Sequence, residues 1–268
     1  MIDKDGIQRP DNTSEHMKPL KVGKRHVKFD EHYNYRIRNP FFRFWTAIFR
    51  QIAITFINPW MVLTNRIKIY NKKHIKKVRG KAFVCVVNHV DYVDDLCTGT
   101  NVFYWRKVYF TTLKENIKRR VVGFFLRTLG GIPIPTGSVN GMRKFEEDCS
   151  YLLSHKKPII YNPEGSLWPK YRGLRPFKRG AFVAAVKNDV PVFPIAITFK
   201  RKKKKNGKYK YKLFYNLCEP IYIDHTLETE KEKSEKLLKQ TYEVMDKTIK
   251  EFYQNNDCGF DDEKEQEA

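Results

Sequence analysis

The sequence predicts an α/β fold in which a mixed, largely parallel central sheet is flanked by helices and preceded by an N-terminal helical hairpin. Between Lys81 and about Lys200, short β-rich runs alternate with stretches of helical periodicity. This alternation is typical of layered α/β domains. The hairpin is predicted because the most hydrophobic long segment, Phe41 to Leu63, contains Asn58-Pro59, where proline breaks or kinks a helix.

Each predicted element follows from its local pattern. The strand candidates are 82–87, 107–112, 132–134, 158–161 and 192–198. The helical windows between them are 121–129, 142–153 and 178–187. A basic turn at 200–207 and a tyrosine-rich strand at 209–215 follow. A final helix is predicted because Leu238, Tyr242, Met245, Ile249 and Phe252 share one helical face.

Composition divides the chain into four parts. Residues 1–39 form a charged arm with few periodic apolar positions, and residues 40–70 are aromatic and aliphatic. Residues 71–254 carry the α/β pattern, and residues 255–268 form an acidic tail. With 268 residues, of which 41% are hydrophobic, the chain is long enough to bury a substantial core.

The charge and the cysteines restrict the partners and the compartment. A formal net charge of +22 predicts attraction to an anionic partner, either a nucleic acid or a membrane surface. The five cysteines are odd in number and have no metal-ligand spacing, which favours a reducing compartment and no metal site. The polar N-terminus lacks the pattern of a secretory signal. We therefore expect a protein of the cytoplasm or of a membrane that faces it.

The segment from Phe41 to Leu63 favours the membrane over a buried hairpin. It is a poor transmembrane span, because Arg43 and Arg50 interrupt it and a span needs about 20 mostly apolar residues. On a helix these arginines and Thr46 share one stripe, opposite the side chains of Phe42, Trp45, Phe49 and Ile52. This pattern predicts amphipathic helices in the membrane interface, bound to membrane phospholipids. A helical hairpin packed on the domain is the alternative.

A histidine and an aspartate mark the first candidate site. His89 follows an apolar strand, and Asp94 comes five residues later, within Asn88-His89-Val90-Asp91-Tyr92-Val93-Asp94. At a strand-to-helix turn, the carboxylate can orient one ring nitrogen while the other nitrogen takes a proton from a hydroxyl. This spacing alone is common, so the downstream motifs carry the functional prediction.

The sequence resembles the phospholipid and glycerol acyltransferase family, of the 1-acylglycerol-3-phosphate acyltransferase type, in four ordered blocks. Asn88, His89 and Asp94 match its Asn-His-x-x-x-x-Asp block. The second, third and fourth blocks correspond to 130–136, 162–168 and 190–194. Residues 176–181 also look like the family's Lys-x-Gly-Ala helix start. The resemblance covers residues 80 to 200.

The resemblance implies a role for each matched residue. His89 is expected to be the general base on the acceptor hydroxyl, which attacks an acyl thioester, and Asp94 is expected to orient it. Asp91 supplies a second carboxylate near His89. Glu164 and Gly165 are expected to shape the acceptor pocket. A further substrate-binding set lies in the second block: Gly131, Ile132, Pro133 and Ile134. No cofactor is expected, since acyl-CoA or acyl-carrier protein is the donor substrate.

Two arginines of the family pattern are absent. Thr136 and Leu167 stand at positions that, in relatives using glycerol 3-phosphate or lysophosphatidic acid, are associated with the acceptor's phosphate. The sequence offers a set of substitute cations after the third block: Arg172, Arg175, Lys178 and Arg179. A solvated basic loop is the other interpretation of this set. We expect a phosphate-bearing lysolipid acceptor, with another lysolipid, a glycolipid or an aminolipid as the alternative.

A non-catalytic nucleic-acid-binding protein is the remaining hypothesis. The basic turn and the interleaved Tyr209, Tyr211 and Tyr215 resemble a surface for phosphates and stacked bases. Because no zinc, helix-turn-helix, RNA-recognition or phosphate-loop signature is present, we expect no nucleic-acid partner.

Overall fold

A computed structural model describes residues 2–3, 7–13, 15–17, 23, 25–65 and 67–260. Parts of the predicted arm, and residues 261–268 of the predicted acidic tail, lie outside the described residues. Within them, seven strands form one sheet in the order β1-β7-β6-β2-β5-β3-β4. The strands are β1 Lys68–Tyr70, β2 Val84–Val87, β3 Tyr109–Leu113, β4 Gly131–Ile134, β5 Ile159–Tyr161, β6 Val192–Lys203 and β7 Tyr209–Leu217. Neighbours are parallel except β6 and β7, which confirms the predicted mixed, largely parallel sheet.

Helices cover both faces of the sheet. They are α1 Pro40–Ile52, α2 Asn58–Asn65, α3 Ile75–Val78, α4 Asp94–Cys97, α5 Lys114–Lys118, α6 Arg120–Leu129, α7 Val139–Ser154, α8 Gly180–Lys187 and α9 Glu230–Gln254. Val84 and Val86 of β2 join one hydrophobic core, to which α7, α8 and α9 contribute. Cys85 and Val87 join a second core on the opposite face. Burial on both faces explains why this strand is a continuous apolar run.

The N-terminal helices form one uninterrupted helical run from residue 40 to residue 65. A π-helical turn, Ala53–Ile57, links α1 to α2 where the sequence predicted a break before Pro59. A wider turn tolerates the missing proline N–H, so the two helices follow each other without a loop. No helix of the described residues is long and apolar enough to cross a bilayer.

Helix α1 docks on the protein through Thr46 and Arg50 and leaves several aromatic side chains exposed. Thr46 is buried and accepts a hydrogen bond from Lys107 Nζ at 3.0 Å. Arg50 donates to the carbonyl oxygens of Tyr104 and Arg106, both at 2.8 Å. In contrast, the side chain of Phe41 is 70% exposed. Phe44, Trp45, Phe56, Trp60 and Leu63 are also exposed. So many exposed large apolar side chains along one helical run, of which Phe56, Trp60 and Leu63 follow α1, are unusual for helices packed only on a soluble domain.

The β6–β7 hairpin contains the basic turn. Strand β6 continues through Lys203, so the exposed turn is shorter than the predicted 200–207 segment. Of the tyrosines considered for base stacking, Tyr215 is fully buried and Tyr211 is half-buried. The hairpin therefore lacks the row of exposed rings that a nucleic-acid platform needs.

Candidate active site

The candidate site lies at the carboxyl edge of the sheet, where β2 and β5 end side by side. These strands are parallel, with Val86 opposite Tyr161, so the residues after them leave the sheet at one edge. Asn88 holds the end of β2 against β6, because its buried amide donates to the carbonyl of Ile197 and accepts from the N–H of that residue. In α/β sheets the crevice at the carboxyl ends of the strands is the usual ligand site.

His89 and Asp94 are in contact at this edge. His89 Nδ1 lies 3.2 Å from Asp94 Oδ2, and the same oxygen accepts the N–H groups of Val90 and Asp91, each at 2.7 Å. Asp94 is fully buried at the start of α4, whereas the side chain of His89 is 21% exposed. Since Nδ1 faces the carboxylate, Nε2 is the nitrogen available to a substrate.

The surrounding carboxylates determine the basicity of His89. Burial lowers its pKa, but the hydrogen bond to Asp94 and the negative charges of Asp94, Asp95 and Glu164 outweigh burial, so the pKa of His89 is raised. Burial raises the pKa of Asp94 to about 6 despite the hydrogen bond from His89. The second carboxylate acting on the histidine is thus Asp95. Asp91 forms an ion pair with Lys170.

A buried ion pair joins the ends of the two strands. Glu164 Oε2 accepts the backbone N–H of His89 at 3.1 Å and Arg175 Nη2 at 2.6 Å, while Oε1 accepts the backbone N–H of Arg175 at 3.0 Å. Both side chains are almost inaccessible, at 1% exposure for Glu164 and 2% for Arg175. Arg175 also donates to the hydroxyl and the carbonyl of Ser166. Both Glu164 oxygens therefore hold protein groups, and the pair fixes the backbone that carries His89.

A cavity of about 500 Å³ has His89 in its wall. Helix α6 forms one side, through Val122, Leu126 and Leu129. Further apolar lining residues include Leu96, Phe110, Leu113, Ile134 and Leu167. Polar side chains, among them Asp95 and Asn162, lie in the same wall, where the Asn162 amide donates to Asp95 at 2.8 Å. A mostly apolar cavity with a few polar groups at one end suits an amphiphilic ligand.

Comparison with known proteins assigns the family. The sequence matches the family described as Acyltransferase over residues 66–198, which include His89, Asp94 and Glu164. The chain belongs to the acyltransferase family. A 1-acyl-sn-glycerol-3-phosphate acyltransferase of Chlamydomonas reinhardtii is 26% identical over 156 residues, which are 56% of this chain and 45% of the algal protein. This family member therefore spans less than half the length of that curated relative.

A solved structure shows the same fold. The 1-acyl-sn-glycerophosphate (LPA) acyltransferase PlsC from Thermotoga maritima matches with a TM-score of 0.50 and 18% sequence identity. The match covers 81% of this acyltransferase-family chain and 97% of the bacterial chain. At this level of identity the likeness concerns the fold.

The four candidate cations occupy different environments in this family member. Lys178 lies beside the cavity, because a Cβ at Gly165 would stand 2.7 Å from its Nζ. The Arg172 guanidinium is 4.3 Å from the ring centre of Phe260, and Arg179 lies 3.6 Å from Glu235 on α9. Arg175 is the buried partner of Glu164. Of these four cations, Lys178 is the exposed one that lies next to the cavity wall, at Gly165.

Gly165 lines the cavity, whereas most of the second-block set, residues 131–134, is buried in the sheet. Gly165 has a φ of +73° and lines the cavity, so its backbone conformation disfavours a larger residue. Ile134, at the end of β4, also lines the cavity. Gly131, Ile132 and Pro133 are buried within β4.

The sequence interpretation missed three polar residues of this site. Asp95 directly follows the predicted Asp94, and Asn162 is the first residue of the third block, 162–168. His16 belongs to the charged arm, yet it lines the same cavity as His89. A carboxylate next to a motif residue was a detectable signal, but nothing in the arm's composition indicated His16. In the part of the chain that the structure describes, no group of three or more His, Cys, Asp or Glu is placed to hold a metal ion.

Proposed function

We propose that this protein transfers a fatty acyl group from an acyl thioester, acyl-CoA or acyl-carrier protein, to the hydroxyl of a lysophospholipid such as 1-acylglycerol 3-phosphate. One observation carries the proposal: the His89–Asp94 pair stands in the wall of a mostly apolar cavity of about 500 Å³. The names of the algal and bacterial relatives support this acceptor class. The product would serve phospholipid biosynthesis.

The reaction follows from the orientation of the histidine. His89 Nε2 takes the proton of the acceptor hydroxyl while its oxygen attacks the thioester carbonyl carbon. The tetrahedral intermediate then expels the thiolate, which receives the proton from Nε2 and leaves as the thiol. Asp94 stabilises the imidazolium that forms between these two steps, and the charges of Asp95 and Glu164 add to this effect. Acyl transfer of this kind requires no covalent acyl-enzyme.

The cavity separates the acyl chain from the polar group. In our proposal the hydrocarbon chain lies along α6, against Val122, Leu126 and Leu129, where apolar surface is removed from water. The headgroup lies toward Gly165, where Lys178 supplies positive charge. An ammonium group this close to the headgroup favours a phosphate-bearing acceptor.

The exposed aromatic side of α1 is our proposed membrane contact. Phe42 and Phe49 pack on Phe124 of α6, with ring centroids 6.2 and 5.9 Å apart, which joins α1 to the helix that borders the cavity. Phe125 and Val121 of α6 are also exposed. This surface would sit in the interface of the cytoplasmic leaflet and present the cavity to lipids. All five cysteines are free thiols, which supports a reducing compartment.

A second acceptor class is favoured by one observation. Leu167 places an apolar side chain in the cavity wall at the position where the family pattern has arginine. A lysolipid, glycolipid or aminolipid acceptor without a phosphate at that position would fit this wall.

One experiment decides between these acceptors. The purified protein is incubated with acyl-CoA or acyl-carrier protein and with a panel that contains lysophosphatidic acid, lysophosphatidylcholine, a monoacylglycerol and a lysoglycolipid, and the products are identified by mass spectrometry. We expect the highest kcat/KM with lysophosphatidic acid. Higher kcat/KM with a phosphate-free acceptor would move the assignment to the second class, and transfer to none of them would refute the proposal.

A further inference from the structure

Part of the N-terminal arm is docked on the loop that follows β5. The segment comprising residues 7–13 and 15–17 is called the strap here. The Thr13 carbonyl accepts from Ser166 Oγ at 3.2 Å and from Arg175 Nη1 at 3.1 Å. The Glu15 carbonyl accepts from the indole N–H of Trp168 at 2.7 Å. Because Trp168 is fully buried, these contacts form a packed interface.

A buried arginine secures the start of the strap. Arg9 is 2% exposed, forms an ion pair with Asp3 at 2.6 Å and donates to the carbonyl of Pro169 at 3.0 Å. Its guanidinium also lies 5.6 Å from the ring centre of Tyr171. The strap lies outside residues 66–198, the span that matches the family.

The strap places His16 in the cavity that contains His89. His16 Nδ1 lies 3.3 Å from the backbone nitrogen of Leu167 and accepts a hydrogen bond from this N–H. The neutral ring therefore carries its own proton on Nε2. Met17 lines the cavity as well, so the strap forms part of the cavity wall.

The charges around His16 favour an anion. Burial lowers its pKa first, and the positive charges of His89, Arg175 and Lys178 lower it further, while Glu115 is the group that raises it. The ring is therefore a neutral N–H donor, and the Lys178 ammonium lies beside the same cavity at Gly165. A phosphate oxygen placed there would gain from the charge of Lys178 and would accept a hydrogen bond from the ring.

We propose that His16 is a specificity residue that binds the phosphate of the lysolipid acceptor through Nε2–H, as part of an acceptor site that the strap completes. The inference rests on the proposed function and deepens it. The acceptor is favoured over the phosphates of acyl-CoA because His16 shares the cavity wall with His89, whose Nε2 must reach the acceptor hydroxyl.

Two amide substitutions of different length separate binding from a structural role. The amide of His16→Gln places an N–H near the Nε2 position but loses the acceptor for Leu167. The shorter His16→Asn retains that acceptor and loses the distal donor. His32→Leu is the control, because the side chain of His32 is 86% exposed. Folding of each variant is checked by thermal melting, and KM and kcat are measured for lysophosphatidic acid, a monoacylglycerol and acyl-CoA.

We expect His16→Asn to raise the KM for lysophosphatidic acid about tenfold or more, the loss expected for one hydrogen bond to a charged group. Its kcat and its KM values for acyl-CoA and the monoacylglycerol should stay within about twofold of the wild type. His16→Gln and His32→Leu should stay close to the wild type with all substrates. Impairment by His16→Gln but not by His16→Asn would overturn the proposal, as would an equal rise in the KM for acyl-CoA.

A binding measurement keeps the inference separate from the proposed function. In ¹⁵N-histidine-labelled wild-type protein, glycerol 3-phosphate should shift the His16 ring resonances and leave those of His32 unchanged. If the protein transferred no acyl group to any lysolipid, the proposed function would fail, yet this titration would still support the phosphate site. Unshifted His16 resonances at a saturating ligand concentration would refute the site.

Discussion

The pair Glu164–Arg175 gives the strongest prediction about stability. In Arg175→Met the side chain keeps its approximate volume but loses the guanidinium. Glu164 is then left buried at 1% exposure with two backbone N–H donors but without the guanidinium that contacts it at 2.6 Å. Removing one member of a buried pair typically costs about 3 to 5 kcal/mol, so we expect the free energy of unfolding to fall by about that amount.

The assay is urea unfolding followed by circular dichroism, with linear extrapolation to water. Arg79→Met serves as the matched control, because Arg79 is exposed and should change the free energy of unfolding by less than about 0.5 kcal/mol. The double variant Glu164→Gln with Arg175→Met should be more stable than Arg175→Met alone, because it removes the unpaired charge. A loss below about 1 kcal/mol in Arg175→Met, or strictly additive effects in the double variant, would refute this reasoning.

Three further predictions concern turnover and the membrane. His89→Ala should lower kcat by about 100-fold or more, as measured by steady-state kinetics. The control His225→Ala, at an exposed position, should leave kcat unchanged. A kcat of His89→Ala above about a tenth of the wild-type value would contradict the role of His89 as the base. The pKa of His89 is raised above its usual 6.5. We therefore expect kcat/KM to fall as the pH drops through this raised pKa, because the protonated ring cannot act as a base. Asp94→Asn should lower turnover and move this acid limb to lower pH, because the carboxylate that stabilises the imidazolium is gone. An unmoved limb in a pH–rate profile would count against the pairing. Trp45→Ser should weaken binding to anionic vesicles about tenfold in a co-sedimentation assay. Tyr222→Ser, which replaces another exposed aromatic residue, should leave this binding unchanged. Equal effects of the two substitutions would contradict a membrane contact through α1.

The central sheet was predictable because its strands are buried on both faces. Val84–Val87 and Val192–Thr198 are nearly continuous apolar runs, and such runs are visible without any knowledge of their partners. Strand β1 was missed, since Lys68–Tyr70 has only three residues and begins with an exposed lysine. Its place in the sheet depends on pairing with β7, a contact between distant parts of the chain.

The site was predictable only where its residues are close in sequence. His89 and Asp94 lie within one motif, so their contact follows from a local turn. The environment of Arg175 was not accessible in this way, because a basic residue in a loop has the same composition whether it is solvated or buried in an ion pair. The sequence indicated that α1 is amphipathic, but the docking of Arg50 on the carbonyl groups of residues 104 and 106 is a contact that no periodicity reveals.

The docking of the strap determines when the site can form during synthesis. Trp168 and Arg175 contact Glu15 and Thr13 across 153 and 162 positions of the chain. Contacts between such distant segments close large loops and form late in folding. The strap is synthesised before the loop after β5, so it must wait, undocked, until that loop has also emerged. During this interval Trp168 lacks the cover that buries it in the finished protein, and a newly made chain has the strands of the candidate site before the wall of its cavity is complete.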